Sequence, residues 1–250
     1  MIHTFRRRGG ASFAVAAFAL ACAAPAAANT VGGAPLIPEP MVFDMIRPLA
    51  APRGELEANT LALFPLNTRG EEIDWAPEVE YAFADGWAAE FELPFDNAHL
   101  TGYKFALQGT IGTFAGKRGV HGVQAITVID RETGRLDNSL LYIAGVRYSE
   151  KWSTLTMVGV NRPADPPVPG ERRDDALLVN HSIFNDVGRH TVIGLETNLR
   201  AGRATTRWLV MPQVHQRFSE SLMLQAGFGA QKPPQRAAHP TAAVRLIKEF

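Results

Sequence analysis

The chain has 250 residues, and its 25 basic and 25 acidic side chains leave no net charge at pH 7. A pI of about 7.1 gives no basic excess, so the composition argues against a nucleic-acid partner. Beyond the N-terminus no run of about 18 apolar residues occurs, so the sequence predicts no transmembrane helix.

The first 28 residues resemble a secretory signal peptide, with arginines at 6–8, an apolar stretch at 13–24 and small residues at 26–28. Cleavage would start the mature chain at Asn29, and the alternative is an uncleaved N-terminal helix. The only cysteine, Cys22, would leave with this segment. Lipid attachment is the alternative, but Ala19 stands where a lipoprotein signal has a large aliphatic residue. The mature chain would then have no disulfide and no cysteine metal site.

Residues 29–53 contain five prolines and little periodicity, which predicts a periplasmic arm or a plug in the barrel mouth. From residue 54 onward the hydrophobic period is two. Val79, Tyr81 and Phe83, for example, alternate with Glu78 and Glu80. Because a helix would space apolar residues three and four apart, this period predicts strands.

The sequence predicts twelve strands in 54–250, most of them near the roughly 9–11 residues that a tilted strand needs to cross a bilayer. Their ranges are 54–64, 76–83, 87–94, 101–113, 120–129, 139–149, 152–161, 176–186, 190–200, 205–218, 221–231 and 241–250. The patterns of 120–129 and 176–186 are the most mixed. Short links alternate with longer ones, as in bacterial barrels with short periplasmic turns and longer outer loops. An even strand number would put both termini on the periplasmic side.

These patterns predict an all-β fold: a transmembrane, antiparallel, up-and-down β-barrel of about twelve strands in the cell outer membrane. Aromatic residues near strand ends favour this barrel over the alternative, a soluble periplasmic β-protein. They are Tyr81, Trp87, Tyr103, Tyr148, Trp152, Trp208, Phe218 and Phe250. The last strand would carry the membrane-insertion signal in Val244, Leu246 and Phe250. Lys248 falls on the lipid face near the strand end, where its amine can reach the headgroups.

Polar residues of the opposite parity predict the lining of the lumen. They are Glu78, Glu80, Glu90, Glu92, Lys104, Gln108, Arg147, Arg207, Gln213, His215, Arg217 and Arg245. The four glutamates share one hairpin and the cations come from other strands, so we expect opposed acidic and basic walls that orient polar solutes. The alternative is that these charges pair across a narrow barrel and close it, with Lys104, Gln108 and Glu92 in a salt-bridged plug.

The stretch from Pro77 to Trp87, followed by Phe91-Glu92-Leu93-Pro94, resembles the repeated hairpin of a known barrel family. This family comprises outer-membrane transporters assigned to a phenol-degradation pathway. The ending Arg245 to Phe250 is also similar to the family's ending. The resemblance implies an outer-membrane barrel, and no catalytic or substrate residue transfers with it.

Catalytic and metal-binding motifs are weak. Asn180-His181-Ser182 suggests a hydrolase, but adjacent strand residues point to opposite faces, so His181 and Ser182 cannot act as a pair. Asp130, Glu132 and Asp137 in one predicted outer loop could bind a divalent cation, and a solvated loop is the alternative. We predict no catalytic residue, no metal and no cofactor.

The sequence thus predicts a monomeric channel or transporter for small polar or amphipathic solutes. Its expected partners are outer-membrane lipids, the barrel-assembly machinery and a solute that the sequence does not identify. Two alternatives remain: a non-conducting barrel that anchors or assembles partners through loop 162–175 or arm 29–53, and a lipid-modifying enzyme that uses His181.

Overall fold

The computed structural model describes residues 30–43, 45–66, 72–163, 174–203, 205–234 and 236–250. The predicted signal peptide, residues 1–28, lies outside them. The described elements are one 3-10 turn, η1 (Val31–Gly33), and strands β1 to β14. The strands are β1 (Leu56–Pro65), β2 (Asp74–Ala84), β3 (Trp87–Glu92), β4 (Phe95–Asp96), β5 (His99–Leu100), β6 (Gly102–Phe114), β7 (Gly119–Asp130), β8 (Leu136–Arg147), β9 (Trp152–Pro163), β10 (Ala176–Asp186), β11 (Thr191–Gly202), β12 (Thr206–Ser219), β13 (Leu222–Lys232) and β14 (His239–Glu249).

The sheet closes on itself, because β1 pairs with both β2 and β14. Every strand pairing among the described residues is antiparallel, and the closed ring contains twelve strands. β4 and β5 form a small hairpin beside β2. Closure removes the sheet edges that would otherwise leave backbone groups unpaired in lipid. The predicted fold class, a twelve-stranded up-and-down antiparallel barrel, is confirmed.

All twelve predicted strands are present, and 176–186 coincides with β10. The largest shift is at β8, which begins at Leu136 rather than at residue 139. The mixed stretch 120–129 is the continuous strand β7. Its pattern is weak because Gly122 and Gln124 face the interior, where a buried glycine and a buried amide take positions that apolar residues usually hold.

The five short links lie at one end of the barrel, together with residue 55 and the C-terminus. These links are 85–86, 115–118, 148–151, 187–190 and 220–221. We call this the short-turn end. In the first link Gly86 adopts a positive φ of 71°, a conformation that a residue with a Cβ rarely takes.

The outward face of the barrel is apolar. Phe105, Leu140 and Phe228, for example, expose 48%, 57% and 62% of their surface. Exposed aromatic residues collect near the short-turn end, among them Tyr148 and Phe218. None of the helices in the described ranges is long and apolar enough to cross a membrane.

The described residues 30–43 and 45–54 are called the luminal arm, and most of their apolar side chains are buried inside the barrel. The arm contacts strands around the whole ring: Ala50 N donates to Thr110 Oγ1 on β6, Met41 N to Glu196 on β11, and Arg245 on β14 donates to Pro40 O. Because the arm contacts strands on several sides of the ring, it lies across the lumen.

Two inward-facing glycines allow the luminal arm to approach the wall closely. A Cβ at Gly145 would lie 2.8 Å from Ile37 Cγ1, and one at Gly227 would lie 2.5 Å from Met41 Cε. Both distances are shorter than ordinary van der Waals contact, so a larger residue at either position would push the arm away.

Candidate functional site in the barrel lumen

One side of the lumen is lined by carboxylates and is called the acidic wall. It consists of Glu57, Glu78, Glu80, Glu90 and Glu92 with Lys104 and Arg245, on strands β14, β1, β2, β3 and β6. The register places Glu57 opposite Glu80 and Glu80 opposite Glu90. Glutamates directly opposite one another repel, so this arrangement costs stability unless cations compensate it.

Arg245 is the central cation of the acidic wall and is only 3% exposed. Its Nη2 lies 3.0 Å from Glu78 Oε1 and 3.1 Å from Glu80 Oε1. Its Nε donates to Asn59 Oδ1 at 3.0 Å, and Nη1 donates to Pro40 O of the luminal arm at 3.4 Å. Arg245 thus joins two glutamates of the wall to the arm that covers them.

Lys104 compensates the other end of the acidic wall. Its ammonium lies 3.0 Å from Glu90 Oε1 and forms an ion pair with Glu92. The carboxylates of Glu78, Glu90 and Glu92 are close enough to share a metal ion, with ligand atoms within 4.8 Å of one another. Because the Lys104 ammonium already lies among them, this cluster is read as an ion-pair network and not as a metal centre.

The opposite side of the lumen combines a hydrophobic cluster with buried but uncharged polar residues such as Gln124, Asn180 and Ser182, and is called the apolar wall. It is built from buried residues of β7 to β10 that form one hydrophobic cluster with the luminal arm. These wall residues are Val120, Leu141, Ile143, Leu155, Met157, Leu178 and Phe184. The arm contributes Ile37, Met45 and Leu49 to the same cluster. The lumen therefore has two chemically different sides, one charged and one largely apolar.

Glu196 on β11 fixes the luminal arm through its backbone. Its carboxylate accepts the N–H groups of Met41, Val42 and Phe43 at 2.8, 3.0 and 2.6 Å. Asn198 Nδ2 donates to the same carboxylate at 2.7 Å. Hydrogen bonds to an ionised group are stronger than neutral ones, so this carboxylate holds the arm in one position.

Arg47 fixes the luminal arm on the other side of the lumen. Its Nη2 lies 2.9 Å from Glu55 Oε2, and its Nη1 forms an ion pair with Glu57. The backbone oxygen of Arg47 accepts a hydrogen bond from Gln108 Nε2 at 2.6 Å. The arm therefore places a guanidinium against the acidic wall and its apolar side chains against the apolar wall.

Glu39 of the luminal arm is 7% exposed and lies 3.7 Å from Arg245. Burial, reinforced by the nearby Glu57 carboxylate, raises the pKa of Glu39 from 4.5 to about 8. The docked arm therefore binds a proton more tightly than a solvated arm would, and docking weakens as Glu39 loses that proton.

The predicted lining residues occupy three levels of the barrel. Gln108, Gln213 and His215 are buried, as are Lys104, Arg245 and three of the four glutamates, whereas Glu92 is half-buried. Arg147 and Arg217 lie at the short-turn end, where they pair with Asp186 at 2.7 Å and Glu249 at 3.3 Å. Arg207 is exposed near the other end, close to the start of β12.

The charges are arranged differently from the expected opposed walls. Lys104 and Arg245 lie among the glutamates, and the described residues of the facing side are apolar or uncharged where they are buried, rather than basic. The parity of the side chains was readable from the sequence, but the position of each strand around the ring relative to the others was not, because it depends on barrel closure.

Four residues that attach the luminal arm or form the acidic wall were not predicted from the sequence: Glu39, Arg47, Glu57 and Glu196. Glu57 and Glu196 carry the inward parity of their strands, so the alternation could have found them. Glu39 and Arg47 lie in an aperiodic segment, where sequence offers no comparable signal.

The other candidate chemistries find no assembled site. His181 faces outward, where its Nδ1 lies 2.9 Å from Thr156 Oγ1, whereas Ser182 is buried on the inner face. In the loop after β7, Asp130 Oδ1 accepts the N–H groups of Glu132 and Thr133. Asp137 instead contacts Asn161. Neither the hydrolase pair nor the loop cation cluster is thus brought together.

Two residues of the predicted insertion signal, Val244 and Leu246, lie within β14, and the third, Phe250, directly follows its last residue, Glu249. Val244 and Leu246 face outward, and Phe250 N donates to Leu56 O at 2.9 Å. Lys248, on the same outer face, donates to Ser221 Oγ at 2.6 Å in the short turn 220–221. Its amine therefore extends to the short-turn end, as expected for a lysine at a barrel rim.

No protein-family model and no curated protein matches the sequence. Solved structures do match. The "KdgM porin" has a TM-score of 0.58 and 8% identity, covering 78% of this chain and 99% of that chain. The "COG4313 outer membrane channel from Pseudomonas putida F1" has a TM-score of 0.59 and 12% identity, covering 81% of this chain and 97% of that chain. The chain therefore has the fold of outer-membrane channel barrels.

Proposed function

We propose that this protein is an outer-membrane channel for small polar or amphipathic solutes and that the luminal arm controls whether it is open. The observation that carries the proposal is that the arm, and not a fixed strand, occupies the lumen. The arm is fixed by ion pairs and backbone hydrogen bonds at Glu196, Arg47 and Arg245, and these can be exchanged for water or solute.

Several features support a channel in the outer membrane. The outward face is apolar and the barrel is closed, as a bilayer requires. The short-turn end would face the periplasm, so the luminal arm would enter from that side. The similar solved structures are channels and not enzymes, which favours a non-enzymatic role. The resemblance to the phenol-pathway transporters stays a prediction, as do the cleaved signal, the monomeric state and the assembly partners.

The test is conductance in a planar bilayer. The chain from residue 29 is compared with a variant that also lacks residues 29–48, and therefore most of the luminal arm, which we call the arm-free barrel. β-rich circular dichroism and heat-modifiable gel migration establish that each barrel is folded. We expect discrete, salt-dependent steps from the arm-free barrel and rare openings from the longer chain. A folded arm-free barrel that never conducts would reject the channel.

A second candidate function is a closed barrel that anchors or assembles partners. The observation that favours it is the burial of lumen residues on every side, with Gln124, Glu196 and Thr241 all at 0% exposure. The loop predicted to meet such partners, 162–175, falls mostly outside the described residues. Silence from a folded arm-free barrel would support this function, since an anchor needs no pathway for solutes.

A further inference from the structure

The charges that meet in the lumen do not balance. Among the described residues, Arg47, Lys104 and Arg245 form ion pairs with seven carboxyl groups. With Glu39 protonated at neutral pH, six carboxylates face three cations, which is a formal excess of three negative charges. The seven are Glu39, Glu55, Glu57, Glu78, Glu80, Glu90 and Glu92. Excess buried charge of one sign is costly, so the lumen has capacity for further positive charge.

Glu80 shows where a donor is missing. It is 0% exposed, and its Oε1 accepts hydrogen bonds from Asn59 and Arg245. Its Oε2 is buried and has no hydrogen-bond partner among the described residues. A buried carboxylate oxygen without a donor costs free energy, and a cationic guest with N–H groups would supply one.

The luminal arm illustrates the kind of guest that this lumen accommodates. Its Arg47 guanidinium pairs with Glu55 and Glu57, while Ile37 and Leu49 pack in the cluster of the apolar wall. The arm thus offers a cation to one wall and an apolar body to the other. A solute that replaces the arm must satisfy the same two walls.

We propose that the channel selects organic cations with an apolar body, such as aryl-alkyl amines, and that these compete with the luminal arm for the lumen. The ammonium group would lie at the acidic wall near Glu57 and Glu80, and the apolar body would lie against the apolar wall. This inference rests on the proposed channel function and adds the class of solute to it.

The experiment uses three probes on the chain from residue 29, and on the arm-free barrel once circular dichroism and gel migration have established that it is folded. Phenethylammonium carries both features, phenylacetate has a similar body with the opposite charge, and methylammonium has the charge without the body. Relative permeability or current block is measured for each. We expect phenethylammonium to act at about tenfold lower concentration than either control, because it gains both a charged hydrogen bond and apolar burial.

Glu80→Gln tests the site, and Glu132→Gln/Glu150→Gln is the matched control on exposed turns. We expect Glu80→Gln to remove most of the preference for phenethylammonium and the control to retain it. Equal action of phenylacetate and phenethylammonium, or a preference unchanged in Glu80→Gln, would overturn the solute class while leaving the channel intact.

A second measurement separates the two proposals. If the arm-free barrel is folded but does not conduct, the channel function fails. Binding of the three probes is then measured from the melting temperature of the barrel in detergent. A rise with phenethylammonium that is absent in Glu80→Gln would still support the binding site. No difference among the three probes would reject it.

Discussion

The acidic wall and the apolar wall face the same lumen, but burial of their side chains has opposite effects on the stability of the barrel. The apolar wall is an ordinary core, in which Leu141, Ile143 and Phe184 pack on the luminal arm and stabilise the fold. The acidic wall places glutamates directly opposite one another, an arrangement that burial and repulsion both disfavour. A costly arrangement beside an ordinary one is what we expect if the acidic wall serves function and the apolar wall serves mainly stability.

The largest effect should follow from removing the charge of the acidic wall. In the arm-free barrel, Glu78→Gln/Glu80→Gln/Glu90→Gln/Glu92→Gln leaves Lys104 and Arg245 without most of their partners. We expect ion selectivity to shift from cations toward anions, measured as the reversal potential in a salt gradient. Unchanged selectivity would show that these glutamates do not line the path.

A substitution in the apolar wall should lower the stability of the barrel and leave its ion selectivity unchanged. Phe184 is fully buried, and its ring meets that of His215 edge-on at 5.8 Å between centroids. We expect Phe184→Ala to lower the free energy of unfolding by about 3–5 kcal/mol without changing ion selectivity. Urea unfolding in detergent measures the loss, and Leu177→Ala, on the outer face of the same strand, is the control with a smaller effect.

The sequence established the fold more completely than the site. A period of two, turn residues and link lengths located all twelve strands, because each of these signals is local. The composition of the two walls depends on which strands become neighbours after closure, so Lys104 and Arg245 were expected to face the glutamates that they in fact accompany. The arrangement of the luminal arm was less accessible still, since Arg47 and Glu39 are positioned by long-range contacts.

Weakening the attachment of the luminal arm should shift the equilibrium between closed and open states, with a smaller effect than the two substitutions above. Glu196→Gln keeps the shape of the side chain but removes the charge that receives the N–H groups of Met41, Val42 and Phe43. We expect the open fraction of the longer chain to rise about tenfold, by single-channel recording. An open fraction equal to that of the exposed-site control Glu150→Gln would contradict this role of Glu196.

The smallest effect should be a dependence on pH. Because the pKa of Glu39 rises from 4.5 to about 8 on docking, the docked arm is favoured below pH 4.5. That advantage is lost as pH increases toward and through about 8. We expect openings to become more frequent over this interval in the longer chain and less so in Glu39→Gln. Identical pH profiles would show that Glu39 does not couple docking to protons.

The central claim is that movement of the luminal arm opens the barrel, and a reversible crosslink tests it most directly. Ile37 Cβ lies 3.4 Å from the position of a Cβ at Gly145, close to the separation of about 3.5–4.5 Å found in disulfides. In the chain from residue 29, Ile37→Cys/Gly145→Cys should be silent when oxidised and should regain openings on reduction, while each single variant is insensitive to redox state. Equal conductance from the oxidised and reduced double variant, with the disulfide verified, would contradict the account.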